Sequence, residues 1–165
     1  MSKHAFELSL FEGRHNELAR WVGEWEGTTR VWFEPGKLGD EAPIRGTMRS
    51  SLGGRCIVHE YETLFLGEPE QGIALYTWHL DRQCHESAWI DSAHTGTQIM
   101  YSEGVRGQDS FSVLGSYGGH DGDPAWGWRT EIRLLEIARL SIVAYNISPE
   151  GEESRASEIA YTRRS

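Results

Sequence analysis

Gly23-Glu24-Trp25-Glu26-Gly27-Thr28-Thr29-Arg30-Val31-Trp32-Phe33 is the stretch on which the fold turns. Trp25, Gly27, Thr29, Val31 and Phe33 share one parity and are mostly apolar or small. Glu24, Glu26, Thr28 and Arg30 on the other parity are polar, so the period is two rather than 3.6. This is the pattern of a half-buried β-strand. Gly23 admits a backbone turn that a Cβ would resist, and Trp25 brings a large ring to the strand's entry.

Upstream, Ser9 followed by Glu12 has the form of a capping box, and Phe11, His15, Leu18 and Val22 recur at helical spacing. The spacing predicts one helix over about 9–22, stopped by Gly23, that serves as a plug or lid rather than as half of a layered α/β fold. Downstream, a loop is expected over 34–43. Alternating runs bounded by glycine and proline then predict strands at about 44–52, 55–66, 72–80, 84–93, 98–102, 110–116, 126–135, 139–147 and 155–161. Gly53-Gly54 is a hairpin turn. About ten short strands with no room for crossover helices must pair antiparallel with their neighbours, and a meander of this length removes its exposed edges by closing. The expected fold is therefore all-β: a closed antiparallel up-and-down β-barrel of about ten strands with one short N-terminal helix. It forms a single domain over 1–165, with the barrel at about 24–163.

Composition bounds the function. A chain of 165 residues is long enough to bury roughly 70% of its unfolded surface in one domain. Nineteen glycines suit many tight turns, and seven tryptophans suit pleated surfaces and small-molecule cavities. A formal charge of -9 argues against nucleic acid or an anionic membrane as partner. Cys56 and Cys84 lie inside strand-like runs without metal-ligand spacing, as free buried thiols would. The N-terminus lacks a secretory apolar region and no run of 18 apolar residues occurs, so a cytoplasmic protein is expected.

Candidate chemistry lies within the strands. In His59-Glu60-Tyr61-Glu62, alternation sends His59 and Tyr61 to one face and the glutamates to the other. The cheaper arrangement puts the carboxylates in water and His59 with Tyr61 inside as hydrogen-bonded groups. The next two strands carry Tyr76, Trp78 and His79, then His85, Trp89 and Asp91. His79 and Asp91 form a dyad if they meet across the hairpin, the arrangement a general base needs. No nucleophile accompanies them, because Ser92 and Cys84 lack a strained elbow. Gly119-His120-Asp121-Gly122-Asp123 lacks calcium-loop spacing, and no metal is expected. Arg129, Glu131 and Arg133 form either an exposed charge ladder or, if turned inward, a binding site for an acidic ligand. Arg49 and Arg133 are the candidate carboxylate partners.

Gly23-Glu24-Trp25-Glu26-Gly27 with Val31-Trp32, then Gly53-Gly54-Arg55 leading into Glu60-Tyr61-Glu62, then Trp89-Ile90-Asp91-Ser92, resembles the bacterial domain-of-unknown-function family fifteen-seventy-nine over residues 15–163. The resemblance implies a lipocalin-like (calycin) barrel and supplies no activity. Gly23, Trp25 and Gly27 are also similar, more distantly, to the opening of nitrobindin-like haem barrels. Those barrels take their proximal histidine from late in the chain, and no histidine follows His120 here, so no haem or other cofactor is expected. The functional expectation is a barrel that holds a modest, largely apolar or amphipathic ligand. Trp25, Arg49, His59, Tyr61, His79, Trp89, Asp91 and Arg133 are its candidate contacts. The alternatives are a small enzyme using the His79 and Asp91 dyad for acid/base chemistry, or a structural homodimer with a filled interior.

Overall fold

The computed structural model describes residues 2–165. Ten strands follow one another around a closed barrel: β1 (Gly23–Glu34), β2 (Lys37–Ser51), β3 (Cys56–Phe65), β4 (Glu68–His79), β5 (Cys84–Asp91), β6 (Met100–Glu103), β7 (Phe111–Gly118), β8 (Ala125–Glu136), β9 (Arg139–Ile147) and β10 (Glu153–Arg163). Each pairs antiparallel with its sequence neighbours. β10 closes the ring on β1 through the register Trp25↔Arg163 to Val31↔Ser157. Closure leaves none of the ten described strands at a sheet edge, as expected for a meander with short connections.

The helical segment and the 34–43 segment differ from expectation for identifiable reasons. The helical segment is not one helix over 9–22 but two: α1 (Lys3–Glu12), capped by the Ser2 side chain, and α2 (Arg14–Ala19). Gly13, with extended ψ of -158°, breaks the ladder between them. Ser9 is therefore inside α1, where its Oγ hydrogen-bonds His15 Nδ1 (2.8 Å) instead of capping a helix start. Of the expected stripe His15 and Leu18 are buried, whereas Phe11 is 79% exposed. The inward face of α1 carries Phe6 and Ser9 instead. The second difference is in 34–43, which is strand rather than loop. The reversal is confined to Pro35-Gly36, with Gly36 at φ +73°, and β2 begins at Lys37. Gly39, which reads as a loop breaker, is needed because the Phe33 ring lies across it; an added Cβ would sit 2.4 Å from that ring.

The core is gathered at one end. Leu18 and Trp21, carried in by α2 and its exit, pack with Trp25, Met48, Ile57, Tyr76, Phe111 and Tyr161 in one buried cluster. Trp21 meets Tyr76 and Phe111 edge-on, with centroids 5.9 and 5.3 Å apart. Trp25 is fully buried, and its indole N–H donates to the Trp21 carbonyl (2.9 Å), satisfying the one polar atom such a ring brings inside. The helices and these rings seal the barrel at the start of β1. At the other end, the inward positions face open space.

Candidate functional site

That space is a cavity of about 510 Å³, within the range of small-molecule sites. Its lining runs from Ile44, His59 and Tyr76, where it meets the core, to Phe65, Glu70, His94 and Tyr117 at the open rim. Alternation places it: in β3, His59, Tyr61, Thr63 and Phe65 line the cavity, while Glu60 and Glu62 are exposed. In β5 the same parity brings in Ser87 and Trp89.

The floor is a buried polar cluster. His59, 1% exposed, hydrogen-bonds the Tyr76 hydroxyl through Nδ1 (3.1 Å) and the Tyr161 hydroxyl through Nε2 (3.0 Å). Burial lowers the His59 pKa to about 3, so the ring is neutral and carries one N–H. One tyrosine therefore donates to it and the other accepts from it. Burial holds both hydroxyls protonated, so the accepting tyrosine keeps a proton to orient elsewhere. Beside this cluster the Trp89 indole N–H donates to the Tyr61 hydroxyl (3.0 Å), and the Trp89 ring stacks on Trp128 with centroids 5.5 Å apart. Burial, then the nearby Asp91 charge, raise the Tyr61 pKa well above the ordinary phenol range. Tyr61 has room because residue 72 is glycine: an added Cβ there would lie 2.1 Å from the Tyr61 ring.

A second polar cluster sits at the rim. Asp91, at the end of β5, accepts backbone N–H bonds at Oδ1 from Ala93 (3.2 Å), His94 (2.6 Å) and Thr95 (2.9 Å), the geometry of an Asx turn. His94 Nδ1 is 2.7 Å from Asp91 Oδ2 and 3.2 Å from Glu70 Oε1. Both carboxylates are enclosed, with side-chain exposures of 0% for Asp91 and 6% for Glu70, while His94 keeps 26%. Burial opposes charge on His94, but its hydrogen bonds to Asp91 and Glu70 outweigh that and raise its pKa to about 9. For Asp91 burial is likewise outweighed, here by the bonds from His94, Glu70 and the Thr95 amide, and the pKa falls. For Glu70 burial prevails and the pKa rises. The donor atoms of Glu70, Asp91 and His94 lie within 4.8 Å of one another, but the Nδ1 proton already joins them. Cys84, Glu86 and Glu103 are as close, yet the two glutamates are taken by Tyr101 and Arg82.

Of the residues expected at the site, His59, Tyr61 and Trp89 face the cavity. Trp25 lies in the core beneath it, with the Arg163 guanidinium 4.3 Å above its ring. Asp91 stands behind the rim. The His79 and Asp91 dyad does not assemble: His79 opposes Cys84, and Asp91 opposes Gly72. Seven residues of extended chain separate them, about 23 Å at roughly 3.3 Å per residue. His79 Nδ1 instead accepts the Arg82 amide in the turn (3.3 Å). Arg49 and Arg133 point outward, Arg49 beside Glu60 (3.6 Å) and Arg133 beside Glu131 (3.2 Å), because each is out of phase with an inward neighbour, Met48 and Ile132. No lysine or arginine lines the cavity among the described residues. Sequence reasoning missed Glu70 and His94, which lie in segments without strand periodicity.

A family model described as "Protein of unknown function (DUF1579)" matches residues 12–163. No curated protein matches the chain.

Proposed function

The chain belongs to this family of unknown function, and as membership assigns no activity, we propose from its own geometry that it is a small-molecule-binding protein. The barrel interior holds one modest, largely apolar ligand. The observation that carries this reading is the 510 Å³ cavity, walled by Ile44, Trp89, Met100, Trp128 and Ile142 and carrying a few fixed polar groups. Those groups are already oriented. The His59 ring is held by two tyrosines and the Tyr61 hydroxyl by Trp89, so a ligand meets them without ordering them first. An acid/base enzyme built on His79 and Asp91 has no support in this arrangement, because the two side chains lie at opposite ends of their hairpin.

Titrating the full chain with fatty acids, flavonoids, bile salts and haem, while following tryptophan emission and thermal denaturation, tests the proposal. At least one class is expected to raise the melting temperature and change the emission of the Trp89–Trp128 pair. Ala144→Leu, which adds bulk at a cavity-lining position of β9, should weaken that response. Silence across the whole panel would overturn the reading.

A further inference from the structure

The rim cluster adds a direction to the cavity. His94 is a lining residue of the cavity, and its two ring nitrogens are not equivalent. Nδ1 is committed to Asp91 and Glu70, and the ring is wedged edge-on against Phe65 (centroids 4.6 Å apart) with Trp89 at 6.3 Å. Nε2 has no partner among the described residues. A histidine oriented through one nitrogen by a buried carboxylate presents the other as a fixed donor.

We propose that His94 Nε2–H is the headgroup site of the cavity, and that the ligand is an amphiphile whose carboxylate lies at the rim with its apolar body inward. This rests on the ligand-binding reading above and deepens it. Asp91 and Glu70, the latter itself a lining residue, both engage the Nδ1 edge of the ring and leave Nε2 as the donor the cluster offers. Asp91 spends its charge on three backbone N–H groups and on the Nδ1 side of the ring, and its side chain is fully enclosed. Glu70 is bonded to the same Nδ1 edge of the ring, with only 6% of its side chain exposed, and burial raises its pKa. The cluster thus gathers its carboxylates on one edge of the ring and leaves the donor on the other, and no lysine or arginine among the described lining residues competes for the headgroup. The groups facing His94 are Glu70 from β4, Asp91 from β5 and the uncharged Phe65 and Trp89, with Tyr61 of β3 in the field of both acids. Hydrogen-bond networks of this kind hold the imidazole charged at neutral pH.

The test compares three probes of equal chain length, decanoic acid, decanol and decylamine, by calorimetry and tryptophan emission on the full chain. At pH 7 decanoate should bind about tenfold or more tighter than decylamine, the scale of one charge-assisted hydrogen bond. In His94→Gln and His94→Ala that preference should collapse while decanol affinity moves less than about threefold. In the wild type it should also fade as pH rises through about 9, where the imidazole loses its proton. Equal affinities for decanoate and decylamine, or a preference unchanged in both variants, would overturn the headgroup assignment and leave the cavity reading standing. Failure of all three probes together with the broader panel would overturn both.

Discussion

The two ends of this barrel are made from the same strands and differ in what their inward side chains face. At the helix-plugged end Trp21, Trp25, Tyr76, Phe111 and Tyr161 are spent on one another. At the open end Trp89, Trp128, Phe65 and Tyr117 face a volume that no described residue fills. Packing energy therefore concentrates at one end and recognition at the other. The sharpest way to break this contrast is Trp25→Ala. Trp25 is fully buried and anchors Trp21 through its indole N–H, so truncation should cost about 3–5 kcal/mol. Denaturant unfolding measures this, and a loss below about 1 kcal/mol would show that the plugged end does not hold the barrel together.

The two ends also titrate in opposite directions. At the plugged end and the cavity floor, burial lowers His59 to about 3 and His85 to about 4, Arg14 adding to the effect at His85. The folded pKa lies below the unfolded value of about 6.5, so stability falls as pH drops below that value and the unfolded chain takes up the protons. At the rim His94 is raised to about 9. Its contribution is complete below about 6.5 and lost as pH rises through 9. Unfolding free energy should therefore peak near neutrality, with an alkaline loss on the order of 1–3 kcal/mol between pH 6.5 and 9. His94→Gln should flatten the alkaline limb and leave the acid limb in place. An alkaline limb that survives in the variant would remove the rim cluster as its source.

The parts of this design that were legible in the sequence are those written in uninterrupted alternation. Val31 and Trp25 in β1, or His59 and Tyr61 in β3, fix a parity that a closed sheet must respect, and with it the barrel and the direction of its side chains. The same logic, carried further, separates His79 from Asp91. A hairpin that turns at residues 80–83 sets His79 against Cys84, which leaves Asp91 opposite Gly72. It also turns Arg49 and Arg133 outward, since each directly adjoins an inward Met48 or Ile132. The rim was not legible. Glu70 falls in a stretch that reads as a turn and His94 in the connection after β5, and they meet because β4 starts as early as Glu68 and the chain turns tightly around Asp91 past the Gly72↔Asp91 pair. The helix break was hidden for a different reason. Ser9 and Glu12 mimic a cap, but Ser9 is more useful inside, bonded to His15 beneath Gly13.

The smallest expected effect bears on which face of β8 lines the cavity. Arg133 belongs to an outer ladder in which Arg129 bonds Glu153 and Glu131, and Arg133 reaches Glu131 at 3.2 Å with 63% of its side chain exposed. An exposed pair of this kind loses most of its Coulomb gain to solvent and side-chain entropy. Its removal leaves Glu131 still bonded to Arg129. Arg133→Ala should therefore change stability by less than about 0.5 kcal/mol. Because Trp128, Thr130 and Ile132 supply the inward face of the same strand, ligand affinity should not move at all. A loss of carboxylate binding in this variant, with His94 intact, would mean that the anion is held from outside the barrel wall, and the division between a packed end and a binding end would have to be redrawn.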